Sequence, residues 1–192
     1  MRGLLAGLIL GCAAMLSSPA SAAPYSVDKD HAQITFTADH LGFSTVHGQF
    51  RNWEAVVDFD PGNVEATQVA ITIDATSIDT ASALRDKSLR SKNFLNTATF
   101  PTITFRTTSV TPTGTDTATV TGDLTLIGVT KPVTMSAKLN KLGPSPFQKD
   151  QMIAGFTITG QIDRREFGMS FAAPAVSAII PIRIDLEMSP SS

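Results

Sequence analysis

This sequence predicts an all-β fold: an antiparallel barrel of about eight amphipathic strands with one short helical insertion near residues 80–92. Three observations lead there. From Ile34 to Met188, apolar and polar side chains alternate with period two in one segment after another. Turn signals such as Asp60-Pro61-Gly62-Asn63 and Thr113-Gly114-Thr115-Asp116 separate these segments. The alternation then stops between Asp79 and Lys92, where Arg85, Lys87, Arg90 and Lys92 stand against only Asp79 and Asp86. Closing the meander into a barrel removes edge strands, whose unpaired backbone groups invite other chains; a two-sheet sandwich is the alternative. A membrane barrel would turn its apolar face to lipid and carry aromatic girdles, for which one Trp and one Tyr are too few.

The first residues stand apart. Met1-Arg2, the apolar run Leu4 to Leu16 and the small residues Ala20-Ser21-Ala22 read as a cleavable export signal over residues 1–22. The run is too short for a transmembrane helix, which needs about 20 residues. The mature domain is then 23–192, and its expected compartment is the periplasm. Losing Arg2 leaves 14 basic against 17 acidic side chains, which argues against a nucleic-acid partner. The single cysteine, Cys12, falls inside the signal, so the mature chain has no thiol for a disulfide, a nucleophile or a sulfur-ligated metal.

Taken in order, Ile34, Phe36, Ala38 and His40 share one face of the first strand, and Leu41-Gly42-Phe43-Ser44 turns it back into Val46–Phe50. Gly48 inside that return suggests a bulge or bend. Ala55–Phe59 and the alternating Val69, Ile71 and Ile73 follow, leading into the cationic insertion, where Thr80 or Asp79 is a candidate helix cap. Beyond Pro101 the inward positions are Ile103 and Phe105, then Val120, Leu124 and Leu126, then Val133, Met135, Ala137 and Leu139. Phe156, Ile158 and Ile162, and finally Ile180, Ile182, Ile184, Leu186 and Met188, complete the wall. Ile127 to Pro132 and Leu142 to Pro146 are the expected turns.

A barrel of eight strands either fills its bore with side chains or leaves room for one small ligand. Ala38, Gly122, Met135, Ala137, Gly160 and Met188 among the larger inward residues favour an adaptable cavity. A strand of about ten residues runs roughly 33 Å, long enough for an extended hydrocarbon chain.

Five segments, in order, resemble one family. They are His40 to Phe50 (HLGFSTVHGQF), Ser77 to Phe94 with Arg85-Asp86, Phe100 to Phe105 (FPTITF), Gly122 to Val133 (GDLTLIGVTKPV) and Arg165-Glu166-Phe167-Gly168. The chain is similar to the YceI-like polyisoprenoid-binding family over nearly all of its mature length. The resemblance implies an extended lipocalin-like barrel, usually periplasmic, that holds a polyprenyl phosphate or an isoprenoid quinone. It places His40, Arg85, Asp86, Lys131 and Arg165 at candidate head-group positions, with Thr130-Lys131 at a hairpin tip and Arg164 just before the late arginine. Phe36, Ala38, Phe105, Leu124, Leu126, Met135, Phe156, Ile158, Ile182 and Ile184 are the expected apolar lining. The ligand is the lipid itself, with no separate cofactor, and the reading leaves room for a transient membrane-surface contact and a homodimer.

Burial at about 0.8 kcal/mol per CH₂ would nominally give a forty-carbon chain some 30 kcal/mol on leaving water, above the practical ceiling of about 18–21. Such a chain is dissolved in a membrane, however, and moving between apolar media gains little. The polar end therefore decides affinity, and a guanidinium suits oxygen recognition there. An enzyme is not expected: there is no Gly-x-Ser-x-Gly elbow, no His-Glu-x-x-His and no phosphate-cradling glycine loop. A lipid-modifying enzyme using His40 and an envelope stress or scaffold protein with an incidental cavity are the competing readings. His31, His40, His47 and Asp39 fit no standard metal spacing, so no metal site is expected.

Overall fold

The computed structural model describes residues 23–191, so the segment read as an export signal, with Cys12, lies outside the described residues. Ten strands form the wall: β1 (Ala23–His40), β2 (Ser44–Phe50), β3 (Trp53–Phe59), β4 (Gln68–Asp74), β5 (Ile78–Asp79), β6 (Thr102–Pro112), β7 (Thr117–Leu126), β8 (Val129–Pro144), β9 (Met152–Asp163) and β10 (Ile179–Pro190). One helix, α1 (Ala83–Leu89), lies between β5 and β6. They fill eight positions in a closed ring, because two positions are shared. Both β2 and β3 pair with β1, on Ile34–His40 and Ala23–Tyr25 respectively, with the break at Arg51-Asn52. Likewise β4 pairs with β3 while β5 pairs with β2. Every ladder is antiparallel, and β10 closes on β1 from Tyr25↔Pro190 to Phe36↔Ile182.

This up-and-down order sorts the connections. The 41–43 turn, the 80–101 segment with α1, the 127–128 turn and the 164–178 segment all sit at one end, called here the helix end. The 60–67, 113–116 and 145–151 connections sit at the other.

The structure departs from the sequence expectations in five places. The long β1 breaks register between Asp28 and Gln33, so the polar run there carries no readable alternation. In that break Lys29 lies 3.7 Å from the centre of the Trp53 ring and bonds the Trp53 carbonyl. Gly48 makes no bulge: it pairs regularly with Phe36, and a Cβ there would lie 2.3 Å from Phe36 Cζ. Its role is to let the Phe36 ring lie flat across the wall. Neither Thr80 nor Asp79 caps α1. Ser82 is the N-cap, and the buried Asp86 reaches back to accept bonds from Thr80 N (2.9 Å) and Oγ1 (2.6 Å). The β7–β8 turn is only Ile127-Gly128, both at positive φ as a two-residue hairpin requires, so Lys131 lies within β8 and not at the tip. Likewise β8 runs on through Pro144, which moves the following turn from the expected Leu142–Pro146 to 145–151.

The buried residues form two clusters along the barrel. The larger, toward the helix end, packs Ile34, Trp53, Ile73, Ile103, Leu126 and Phe167. The smaller, toward the opposite end, packs Val57, Phe59, Ala154 and Met188, with Phe59 edge-on to Tyr25 and Phe156. Val27 and Ala55 pack against both clusters along the wall, and a bore remains inside it.

Candidate functional site

The bore holds about 350 Å³, within the range typical of small-molecule sites. It runs the height of the barrel, from Val64, Thr67 and Gly114–Thr117 at one end to Leu89, Phe94, Met169 and Val176 at the helix end. Its wall is almost wholly apolar. All ten strand residues named as apolar lining are on it, Phe36, Phe105, Met135 and Phe156 among them. Period two puts them there, since alternate residues of a pleated strand face one side.

The ceiling comes from the aperiodic parts. Leu89, Phe94 and Leu95 follow or end α1 and close the bore from above, with Phe94 edge-on to Phe171 at 5.4 Å. Leu84, on the same segment, points the other way and is exposed.

One charged side chain caps the ceiling. Arg164 is 3% exposed and lines the bore. Its guanidinium donates to four backbone carbonyls: Ser177 (2.9 Å), Met169 (2.5 Å), Phe171 (3.0 Å) and Val176 (2.9 Å). No carboxylate pairs with it among the described residues. Burial pushes its pKa down, opposed by the nearby Asp163 charge. The Phe94 ring centre lies 5.9 Å away. Four of five guanidinium N–H groups are thus committed to the 169–177 backbone, which leaves a positive charge and one donor above an apolar tunnel.

The five expected head-group residues all belong to the helix end, but none is part of the bore lining. Arg85 donates to Thr80 Oγ1 (2.8 Å) and to the Thr80 carbonyl (2.6 Å), while Thr80 Oγ1 donates to Asp86; the three make one network that shapes the start of α1. Arg165 is exposed and doubly bonded to Asp163, which that partner pulls down to about 2. His40 is exposed at the end of β1, its backbone bridged to Val176. Lys131 stands opposite Leu124 in the β7–β8 register, on the cavity side of the wall, yet is exposed. The reason is a gap: the β8–β9 ladder begins only at Met135↔Gly160, leaving the start of β8 without hydrogen bonds to β9. Pro132, which has no N–H to donate, lies in that stretch.

Sequence reasoning put Arg165 at a head-group position and left open whether Arg164 shares its role. In the four-residue 3-10 turn Arg164–Phe167 no strand parity says which side chain turns inward. The three histidines do not assemble: His31 bonds Asp28 at 2.7 Å, and the only grouping of three such side chains among the described residues is Asp28, His31 and Glu187, all exposed.

This architecture recurs in known proteins. A solved structure of Burkholderia cenocepacia BcnA superposes with a TM-score of 0.75 at 22% identity, over 84% of this chain and 99% of that one. A polyisoprenoid binding domain from Saccharophagus degradans gives 0.63 at 15% identity, over 87% and 98%. In sequence, a UPF0312 protein of Pseudomonas savastanoi pv. phaseolicola is 38% identical over 191 residues, 98% of this chain and 96% of its own. The YceI-like domain profile matches residues 25–188, from the first turn of β1 nearly to the end of β10. With nearly all of the closed wall inside that match, the chain belongs to the YceI-like family.

Proposed function

We propose that this protein is a periplasmic binding protein that carries a long isoprenoid lipid in its bore and does no chemistry on it. The observation that carries this reading is the bore: an apolar tunnel through the full height of the barrel with a buried cation at one end. Support comes from the polyisoprenoid binding domain that shares the fold and from the sequence of residues 1–22, which reads as an export signal. The tail takes the tunnel, and the polar end, a phosphate or a quinone oxygen, sits at the helix end. Arg164, on the bore itself, is its nearest cation, with Lys131, Arg85, His40 and Arg165 outside the lining and Asp86 in the network that holds Arg85. Because transfer from a bilayer to an apolar bore gains little, these polar contacts set which lipid is retained.

The test is native mass spectrometry of protein expressed with its own leader and recovered from the periplasm, followed by solvent extraction. An isoprenoid adduct is expected, with a quinone chromophore or a phosphate reporting the head group. An empty bore, or a fatty acyl occupant in its place, overturns the reading.

A further inference from the structure

We infer that the helix end of the barrel is a docking face for an anionic lipid bilayer. This rests on the carrier reading, since it names the surface from which the ligand is taken. Large apolar side chains protrude there from three separate connections: Phe43 at 88% exposure, Leu84 at 84%, and Leu41 and Phe171 at about half. They form one face. Leu41 N donates to the Ala175 carbonyl at 2.8 Å, which ties the 41–43 turn to the 164–178 segment, and Phe171 packs on Phe94 below α1.

At the same end stand Arg85, Lys87, Arg90, Lys92, Lys131 and Arg165, against Asp39, Glu166, the buried Asp86 and Asp163, the last held by Arg165, while Asp79 is paired with Arg51, so cations remain in excess. Among the described residues Lys87, Lys92 and Lys131 pair with no carboxylate. Exposed aromatic and aliphatic tips within a ring of cations match the interface of a membrane bearing acidic head groups.

The opposite end decides the orientation. It also exposes an apolar tip, Phe147 at 94%, but its connections carry Asp60, Glu65, Asp116 and Asp150 with only Lys149 in return. An anionic surface repels that end. A second copy of the chain is the poorer occupant of the helix end, because a two-fold contact would set the cations against themselves. The docked segment is also the ceiling of the bore: Leu84 enters lipid while Leu89, Phe94 and Leu95 line the tunnel beneath.

Flotation with vesicles of phosphatidylcholine, pure or with about one-third phosphatidylglycerol, tests the face. Wild type should float with the anionic vesicles and stay behind with the neutral ones. Phe43→Asp and Leu84→Asp should each weaken partitioning about tenfold, Lys87→Gln and Lys92→Gln about fivefold apiece, and Phe147→Asp should change nothing. Equal binding to neutral vesicles, equal loss in Phe147→Asp, or a dimer that dissociates in Phe43→Asp with vesicle binding unmoved would overturn docking. Uptake of farnesol without vesicles separates the two proposals. Phe43→Asp should bind it as wild type does, whereas failure of wild type to bind it would sink carriage and leave docking standing.

Discussion

Replacing Arg164 by Met keeps the aliphatic stem of a side chain that is 3% exposed and removes its guanidinium and charge. Four carbonyls, that of Met169 buried and the other three partly so, then lose their donor. Hydrogen bonds to a charged group are worth about 1.5–3 kcal/mol each, so the gross loss is roughly 6–12 kcal/mol. Against this, the wild type bears a desolvation cost of several kcal/mol for burying a guanidinium, which Met does not. The net expectation is a loss of about 3–5 kcal/mol, or roughly 6–20 °C in Tm for a domain of this size. Arg164→Lys restores the charge but offers three donors from a single point to four spread carbonyls, so it should recover only part. Urea unfolding followed by circular dichroism reads both, on protein stripped of lipid. A loss below about 1 kcal/mol in Arg164→Met would show that the 169–177 segment holds its shape without the guanidinium, and the account of the ceiling would fail.

Three further outcomes follow from the geometry. Gly48→Val should drive the Phe36 ring off its seat, costing about 1–3 kcal/mol and reducing lipid recovered per mole of protein; adding Phe36→Ala should relieve the strain, and no relief would refute the pairing. Thr80→Val should cost about 1–3 kcal/mol in thermal unfolding, because Asp86 keeps only the Thr80 amide as donor; an unchanged melt would show that the hydroxyl is dispensable. Asp163 should titrate near pH 2 by carbon-detected NMR, held there chiefly by the Arg165 bond, and Arg165→Gln should return it toward the ordinary value of 3.8. With the folded value the lower one, its stabilising effect is complete above about pH 4 and fades as pH falls toward 2; a midpoint near 4 in wild type would contradict the contact.

The parts of the fold that follow a strict two-residue period were open to reading from sequence, down to the residues of the bore wall. Phe105, Met135 and Ile184 face the tunnel because a pleated strand allows nothing else once Leu124 and Ile182 do. Where the backbone leaves that period, side-chain direction depends on partners distant in sequence. Arg164 turns inward because carbonyls from Met169 to Ser177 surround it, and nothing in the order Asp163-Arg164-Arg165 marks it over its neighbour. Gly48 was misleading for the same reason, since its meaning lies in a ring across the sheet at Phe36. Leu84 reads as core by hydropathy, yet its seven-residue helix shows it to solvent.

A cylinder laced along every seam must break bonds to change its girth. Here β8 runs from Val129 to Thr134 without a residue paired to β9, so this stretch of the wall is held by side-chain packing alone on that side. Amides along that stretch should exchange with solvent faster than those below Met135, and the aperture at the crown can dilate while the lower barrel keeps its lacing. On the carriage proposed above, a bulky ring at the head of a slender tail then needs no unfolding to pass.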